Sequence, residues 1–429
     1  MLDLDLIRHD RAAVAAALAK RLDSAEVDRS LSAIVDLDAR RRHLIGKIED
    51  ERRARKEAAK AYAAAKRAAT EPLPPPADTK AALAALEAEL EGVRAELHGE
   101  MSVLPNLPAD DVVPGGKEAN RVVREWGEKP TLSPVIDHPT VAKEYGLVDF
   151  DRGTKLGGAG FWMYTGVGAR LEWALVNWFI DQHVAAGYTF VLPPHMLLES
   201  AGFAAGQFPK FADDVYHIAN PDSDRAQFLL PTAETAILGG YQNEIFNENE
   251  LPHRVFAYTP CYRRERAGSH SDERGTVRGH QFNKVEIFQF TTPDGAGEAF
   301  EAMVRQAESL VEGLGLHYRT SLLAAGDSSA SMRRTLDVEV WMPHTGGYKE
   351  VSSVSWAGDY QARRAGVRYR PSGEKATRFL HTLNGSALAT SRILPAILEQ
   401  HQQADGSVLV PEVLRDKVGT DRLTKPGKR

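Results

Sequence analysis

The chain has 429 residues, 43% of them hydrophobic and 26% charged, enough for one large core and a second domain. Its single cysteine, Cys261, excludes an intrachain disulfide framework. No Cys/His spacing suits structural zinc, so any catalytic metal is expected on oxygen ligands. No apolar run reaches the roughly 18 residues of a membrane span and the opening residues lack the layout of a secretory leader, so a cytoplasmic protein with no membrane partner is expected.

The net charge of −6 argues against a generally basic nucleic-acid binder, but the charge is unevenly spread. Residues 40–67 carry eleven Lys or Arg against four acids, which makes that segment +7 and the rest of the chain −13. After a short helix over about residues 4–21, residues 30–100 are rich in Ala, Leu, Glu, Lys and Arg, broken only by the prolines between Glu71 and Pro76. Leu83, Leu86, Leu90, Val93 and Leu97 recur at the spacing of a coiled-coil seam, answered by Leu31, Ile34, Leu37, Leu44 and Ile48. The pattern predicts an antiparallel helical hairpin on the order of 60 Å long. An Ala-rich charged hairpin can also be a dimerisation element. The basic excess, with Arg52, Arg53, Arg55, Lys56 and Lys60 along it, favours the phosphate backbone of a folded RNA.

Residues 1–104 are thus expected as an N-terminal domain, 105–130 as a linker and 131–429 as a catalytic domain. In the last of these, short β-rich runs such as 254–258 and 338–341 alternate with helical stretches such as 168–186 and 299–313. That pattern implies an α+β fold on an antiparallel sheet flanked by helices. Neither a Walker phosphate loop nor a Rossmann fingerprint is present.

Three stretches carry chemistry. Cys261 to Glu265, a polar loop and then His280 to Glu286 read as a strand, a loop and a returning strand. Arg263 and Glu265 share parity and hence a face, suited either to gripping a phosphate and an exocyclic amine or to a plain surface ion pair. Glu350-Val351-Ser352-Ser353 offers a carboxylate and a hydroxyl for Mg²⁺, or a half-buried strand ending in a polar turn. Leu383-Asn384-Gly385-Ser386 leads into an apolar-periodic helix from which Arg392 can reach a triphosphate. Cys261 shows no sign of an activated nucleophile.

In order and spacing, Thr232-Ala233-Glu234, Arg263-Arg264-Glu265, Glu286, Glu350 to Ser353, Gln361 to Arg364 and Leu383 to Ser386 resemble the seryl-tRNA synthetases of bacterial type. Pro105-Asn106-Leu107-Pro108, Phe208 to Phe211 and Val410 to Val413 extend the likeness over nearly the whole chain. The resemblance implies a class II synthetase sheet with a coiled-coil arm, and an enzyme that activates serine with ATP and Mg²⁺, without zinc, and loads tRNA(Ser) and, where it exists, tRNA(Sec). It implies that Thr232, Ala233, Glu234, Glu286, Asn384 and Ser386 surround serine. Arg263, Arg264, Glu265, Glu350, Val351, Ser352, Ser353 and Arg392 belong to the ATP site, with Arg263 and Arg392 the catalytic cations and Glu350 and Ser353 the metal contacts. It also implies a homodimer, in which the helix over 168–186 and Pro193-Pro194 form the interface and one subunit's arm serves the other's site.

Arg266, Val354, Trp356 and Pro395 depart from the family pattern, Pro395 being expected to kink the last helix. The altered run from Val354 to Ala357 raises the alternative of a specialised paralogue serving a biosynthetic or self-resistance pathway. A carrier-protein ligase is a further alternative, against which the long hairpin argues.

Overall fold

The structure is a computed structural model that describes residues 1–68, 79–221, 225–265 and 274–427. The proline-rich hairpin tip and Arg266 lie outside the described residues. The chain divides into two compact units, Leu2–Pro105 and Asn106–Arg429.

In the first unit the expected single short helix is two, α1 (Leu4–His9) and α2 (Arg11–Leu18). Asp10 separates them and its carboxylate caps the second by accepting from the Ala13 N–H. The hairpin helices are α3 (Ser24–Arg67), capped by Asp23, and α4 (Thr79–Val103). At 44 residues, α3 is about 66 Å long. Leu44, Ile48, Leu90 and Val93 form the buried seam, flanked by Leu37, Leu83 and Leu86, and Leu31, Ile34 and Leu97 are buried as well. Beyond Ile48 the apolar seam gives way to exposed Ala, Lys and Arg, residue types whose helix propensity sustains a helix that buries little.

The second unit is built on an eight-stranded sheet: β1 (Arg121–Trp126), β2 (Thr189–Val191), β3 (His253–Tyr262), β4 (Gln281–Thr291), β5 (Tyr318–Leu322), β6 (Arg334–Met342), β7 (Gly347–Gly358) and β8 (His381–Ala389). The strand order is β1-β5-β6-β7-β8-β4-β3-β2. Every pairing is antiparallel except that of β2 with β3. The stretch 105–130, expected as a linker, therefore contains the edge strand β1. Asn106, near the start of that stretch, donates its side-chain amide to the Ser331 and Ala357 carbonyls.

Strand alternation sorts the two faces of the central strands. Val285, Ile287, Leu336, Val338, Val354 and Leu383 join one apolar cluster with Phe300, Met303, Ala307 and Leu310 of the helix α7 (Ala296–Gly313), α5 being Gly166–Ala185 and α6 Ala233–Gly240. Their neighbours Lys284, Glu286, Thr335, Asp337, Glu339, Ser353, Ser355, Asn384 and Ser386 line cavities and form a polar floor across four adjacent strands.

One irregularity on β7 decides the site. Glu350 and Ser353 are three residues apart and strict alternation would put them on opposite faces. The pairing with β6 jumps from Val338↔Ser352 to Glu339↔Glu350, so Val351 is an extra, bulged residue and both polar side chains reach the cavities.

The last helix of the core, α9 (Thr390–Gln400), follows a short helix α8 (Tyr360–Ala365) and strand β8. Pro395 lies inside α9 and cannot donate to the Ser391 carbonyl. That carbonyl accepts instead from the Thr276 hydroxyl at 2.9 Å, so the proline leaves no orphan acceptor in the core.

Candidate active site

Two cavities, of about 700 and 630 Å³, open onto the polar floor and share Arg278, Glu350, Ser353 and Arg392 in their walls. The second is lined on one side by Thr232, Glu234, Lys284, Glu286, Asn384 and Ser386.

Thr232 is the N-cap of α6 and accepts from the Glu234 N–H at 3.4 Å, which turns Glu234 inward at 4% exposure. Gln361, on α8, donates to Glu234 Oε1 at 2.6 Å, and its own amide orientation is set by the Thr382 hydroxyl donating to Gln361 Oε1. Burial, reinforced by the nearby Glu286, lifts the Glu234 carboxyl to about 7, despite Gln361, Lys284 and Arg263 favouring the ionised form. Glu286, directly across from Ser386 on β8, is 1% exposed and receives the Lys284 ammonium at 2.5 Å, the Asn384 amide at 3.1 Å and the Ser386 hydroxyl at 3.5 Å.

The other end of the site is cationic. Arg392 Nη1 lies 3.0 Å from Glu350 Oε2 and also donates to the Glu350 carbonyl. Burial works to raise the Glu350 carboxyl, but Arg392 and Arg263 outweigh it and hold it below its ordinary value. Across the strand pair, burial and then the proximity of Glu350 hold the Asp337 carboxyl well above the usual range, even with the Ser353 hydroxyl bonded to it. Arg263 donates to the Pro231 carbonyl and its guanidinium lies 5.2 Å from the centroid of the Phe282 ring.

Arg263 and Glu265 do meet in this wall, but not by strand parity. Strand β3 ends at Tyr262, and the backbone turns through Glu265 with φ +39°, a conformation unusual for a side chain with a Cβ. Glu265 pairs with Arg278 at 2.5 Å. Asn384 and Ser386, expected to lead into a helix, lie within strand β8.

Some expected residues keep their side chains away from the large cavities. Ala233 is buried in the apolar core, and exposed Arg264 is tied to the carbonyls of Asp213 and Asp214. The Ser352 hydroxyl donates to the Ser386 carbonyl, and Val351 lines a small recess with Phe282, Glu350 and Arg392. Cys261 is buried and burial raises its thiol, which disfavours the nucleophilic thiolate.

For a metal, the described residues hold no group of three or more His, Cys, Asp or Glu side chains poised as ligands. Glu350 and Ser353 on one face, with Asp337 Oδ1 beside them lacking a hydrogen-bond partner, suit an ion that takes one or two protein oxygens and completes its shell from phosphate and water. That is the habit of Mg²⁺.

Two family models match the chain: the seryl-tRNA synthetase N-terminal domain over residues 1–108 and the tRNA synthetase class II core domain (G, H, P, S and T) over 216–401. A serine-tRNA ligase 2 of Clostridium acetobutylicum is 48% identical over 99% of this chain and 100% of its own length. The chain belongs to the seryl-tRNA synthetase family. A serine-tRNA ligase of Rhizorhabdus wittichii is 42% identical over 98% of both chains. Among solved structures, seryl-tRNA synthetase from Pyrococcus horikoshii complexed with ATP superposes with a TM-score of 0.89 at 30% identity, covering 100% of both chains. The cytoplasmic serine-tRNA ligase of Naegleria fowleri in complex with AMP gives 0.87 at 26%, covering 100% of this chain and 99% of that one.

Within this seryl-tRNA synthetase framework, four cavity-lining or buried residues had no individual role in the sequence reading: Lys284, Gln361, Arg278 and Phe282. Lys284 and Glu286 left a trace, a charged pair at strand period inside an otherwise apolar run. The altered residues Val354 and Trp356 lie on the far face of β7. Val354 is in the core, and Trp356 packs near Phe300 and under Arg333, with its indole N–H 3.3 Å from His381 Nδ1.

Proposed function

We propose that this chain activates serine with ATP and transfers it to the 3′ end of tRNA(Ser), and of tRNA(Sec) where that exists. The serine carboxylate attacks the α-phosphate, pyrophosphate leaves, and a terminal ribose hydroxyl of the tRNA then displaces AMP from the seryl-adenylate. The observation that carries this reading is the pairing, around shared walls, of a buried acidic recess with a cationic end suited to a triphosphate.

In this reading Glu234 faces the substrate ammonium, and Glu286, Asn384 and Ser386 surround the side-chain hydroxyl. An alanine analogue would leave these buried polar groups unpaired, which is the stronger form of discrimination. Arg263 and Arg392 neutralise phosphate charge that shifts during the reaction, and the Phe282 ring offers a flat face to the base. A Mg²⁺ ion held by Glu350 and Ser353 would add Lewis-acid neutralisation of the same phosphates. Chemistry of this kind asks for positioning and charge, and no side chain need act as nucleophile.

Exposed Arg52, Arg53, Arg55, Lys56 and Lys60 on the hairpin serve as the tRNA contact. A homodimer is proposed along α5 and the following strands, where Trp173, Val184, Leu192 and Met196 are all more than half exposed. No helix of the described residues is long and apolar enough to cross a membrane, and a cytoplasmic site of action is proposed. The paralogue alternative rested on residues 354–357. Since Val354 and Trp356 pack behind the sheet, that motivation for altered substrate use falls away.

The test is pyrophosphate exchange with each proteinogenic amino acid, followed by charging of purified tRNA(Ser). Exchange with serine plus charging is expected. Exchange without charging would point to a carrier-loading ligase, and no exchange with any amino acid would overturn the catalytic reading.

A further inference from the structure

The amino-acid recess holds three buried ionisable side chains at close quarters. Glu234 and Glu286 are 4% and 1% exposed, and Lys284 is 4% exposed. Two carboxyl groups thus share one ammonium, and the sharing is unequal. Lys284 Nζ is 2.5 Å from Glu286 Oε2 and donates to Thr232 Oγ1 at 2.7 Å. Both oxygens of Glu286 are met by fixed donors, Lys284 and Ser386 on one and Asn384 on the other. Glu234 has a neutral donor, Gln361, on Oε1. Among the described residues, the charged groups that act on it are Glu286 and Lys284 on β4 and Arg263 beyond β3.

We propose that Lys284 is a positioning residue for the amino-acid substrate: its ammonium compensates Glu286 in place, so the recess keeps one uncompensated carboxyl group, Glu234, for the incoming ammonium. The inference rests on the serine-activating reading of the site. It explains why a pocket for a cationic group contains a buried lysine of its own. Without Lys284 the recess would carry two adjacent carboxyl groups competing for one substrate charge, and these would share a proton in its absence. By donating to Thr232, Lys284 also steadies the cap that turns Glu234 inward.

The substrate ammonium is best held when Glu234 is ionised, so serine KM should improve as pH rises through about 7 in the natural protein. Pyrophosphate exchange measured from pH 6 to 9 on Lys284→Met should show serine KM raised roughly tenfold or more at neutral pH, with ATP KM within about twofold. The midpoint of its pH dependence should move upward by about one pH unit, because Glu234 loses the nearby cation. The double variant Lys284→Met/Glu286→Gln removes one charge of each sign and should return that midpoint to near 7, even if the single variant does not fold. A merely structural lysine would reduce the active fraction without moving the midpoint.

An unchanged serine KM, a rise in ATP KM instead, or a double variant whose midpoint stays displaced would overturn the proposal. If the natural protein shows no serine-dependent exchange, the functional reading itself fails. Serine-dependent exchange that is indifferent to Lys284 sinks only this inference.

Discussion

Replacing Glu234 by glutamine separates what this residue does for binding from what it does to the fold. Burial and Glu286 lift its carboxyl from an ordinary 4.5 to about 7, so between those two pH values the folded protein keeps a proton that the unfolded chain has released. Stability therefore falls as pH rises through that window. At about 1.4 kcal/mol per pH unit the loss amounts to roughly 3 kcal/mol by pH 8. Glutamine has nearly the same shape, can still accept from Gln361 through its carbonyl oxygen, and does not titrate. Thermal melting of both proteins without ligands at pH 4.5 and pH 8 should show Tm values close together at the acidic end. At pH 8 the variant should be the more stable by about 5 °C. The same variant should raise serine KM roughly 100-fold in pyrophosphate exchange, since the substrate ammonium would face a neutral amide. A Tm difference that is equal at both pH values, or that widens toward acid, would refute the claim that Glu234 is a buried carboxyl under strain.

Glu350→Gln should lower kcat in pyrophosphate exchange by about 100-fold and raise the Mg²⁺ concentration needed for half-maximal rate, read from a magnesium titration at saturating ATP. Trp356→Ala, which removes packing near Phe300 and Arg333, should destabilise the catalytic unit by about 3 kcal/mol while leaving serine KM within about twofold. A large change in serine KM would mean that the tryptophan communicates with the recess through the sheet. Replacing Arg52, Arg53, Arg55, Lys56 and Lys60 together by alanine should weaken tRNA binding roughly tenfold or more and flatten its salt dependence, with serine-dependent exchange unaltered. Loss of exchange as well would show that these exposed cations support the fold.

Much of this was legible in the residues alone. The heptad spacing of Leu83 to Leu97 is a local property of the chain, and the seam at Leu44, Ile48, Leu90 and Val93 follows from it. The alternation along β6 likewise puts Leu336, Val338 and Val340 on an apolar face and Thr335, Asp337 and Glu339 on a polar one. Thr232, Glu234, Arg263, Glu286, Glu350, Ser353, Asn384 and Arg392, singled out through the resemblance of their motifs, all line the second cavity.

Tertiary structure decided the rest, for reasons the one-dimensional pattern does not contain. Parity places Glu350 and Ser353 on opposite faces, and only the bulge at Val351, set by the register with β6, brings them together. Arg263 and Glu265 meet through a left-handed turn at Glu265 rather than along a strand. Asn384-Gly385-Ser386 reads as a turn by local propensity but is held extended between β4 and β7, where Gly385 leaves room for Val354 across the pair. Pro395 is tolerated inside α9 because a threonine more than a hundred residues away satisfies the carbonyl it strands. The sharing of Lys284 between Glu286 and Thr232, and with it the charge left to Glu234, is likewise set by which strands lie side by side, since the strength of a buried charge depends on neighbours that the chain supplies from distant positions.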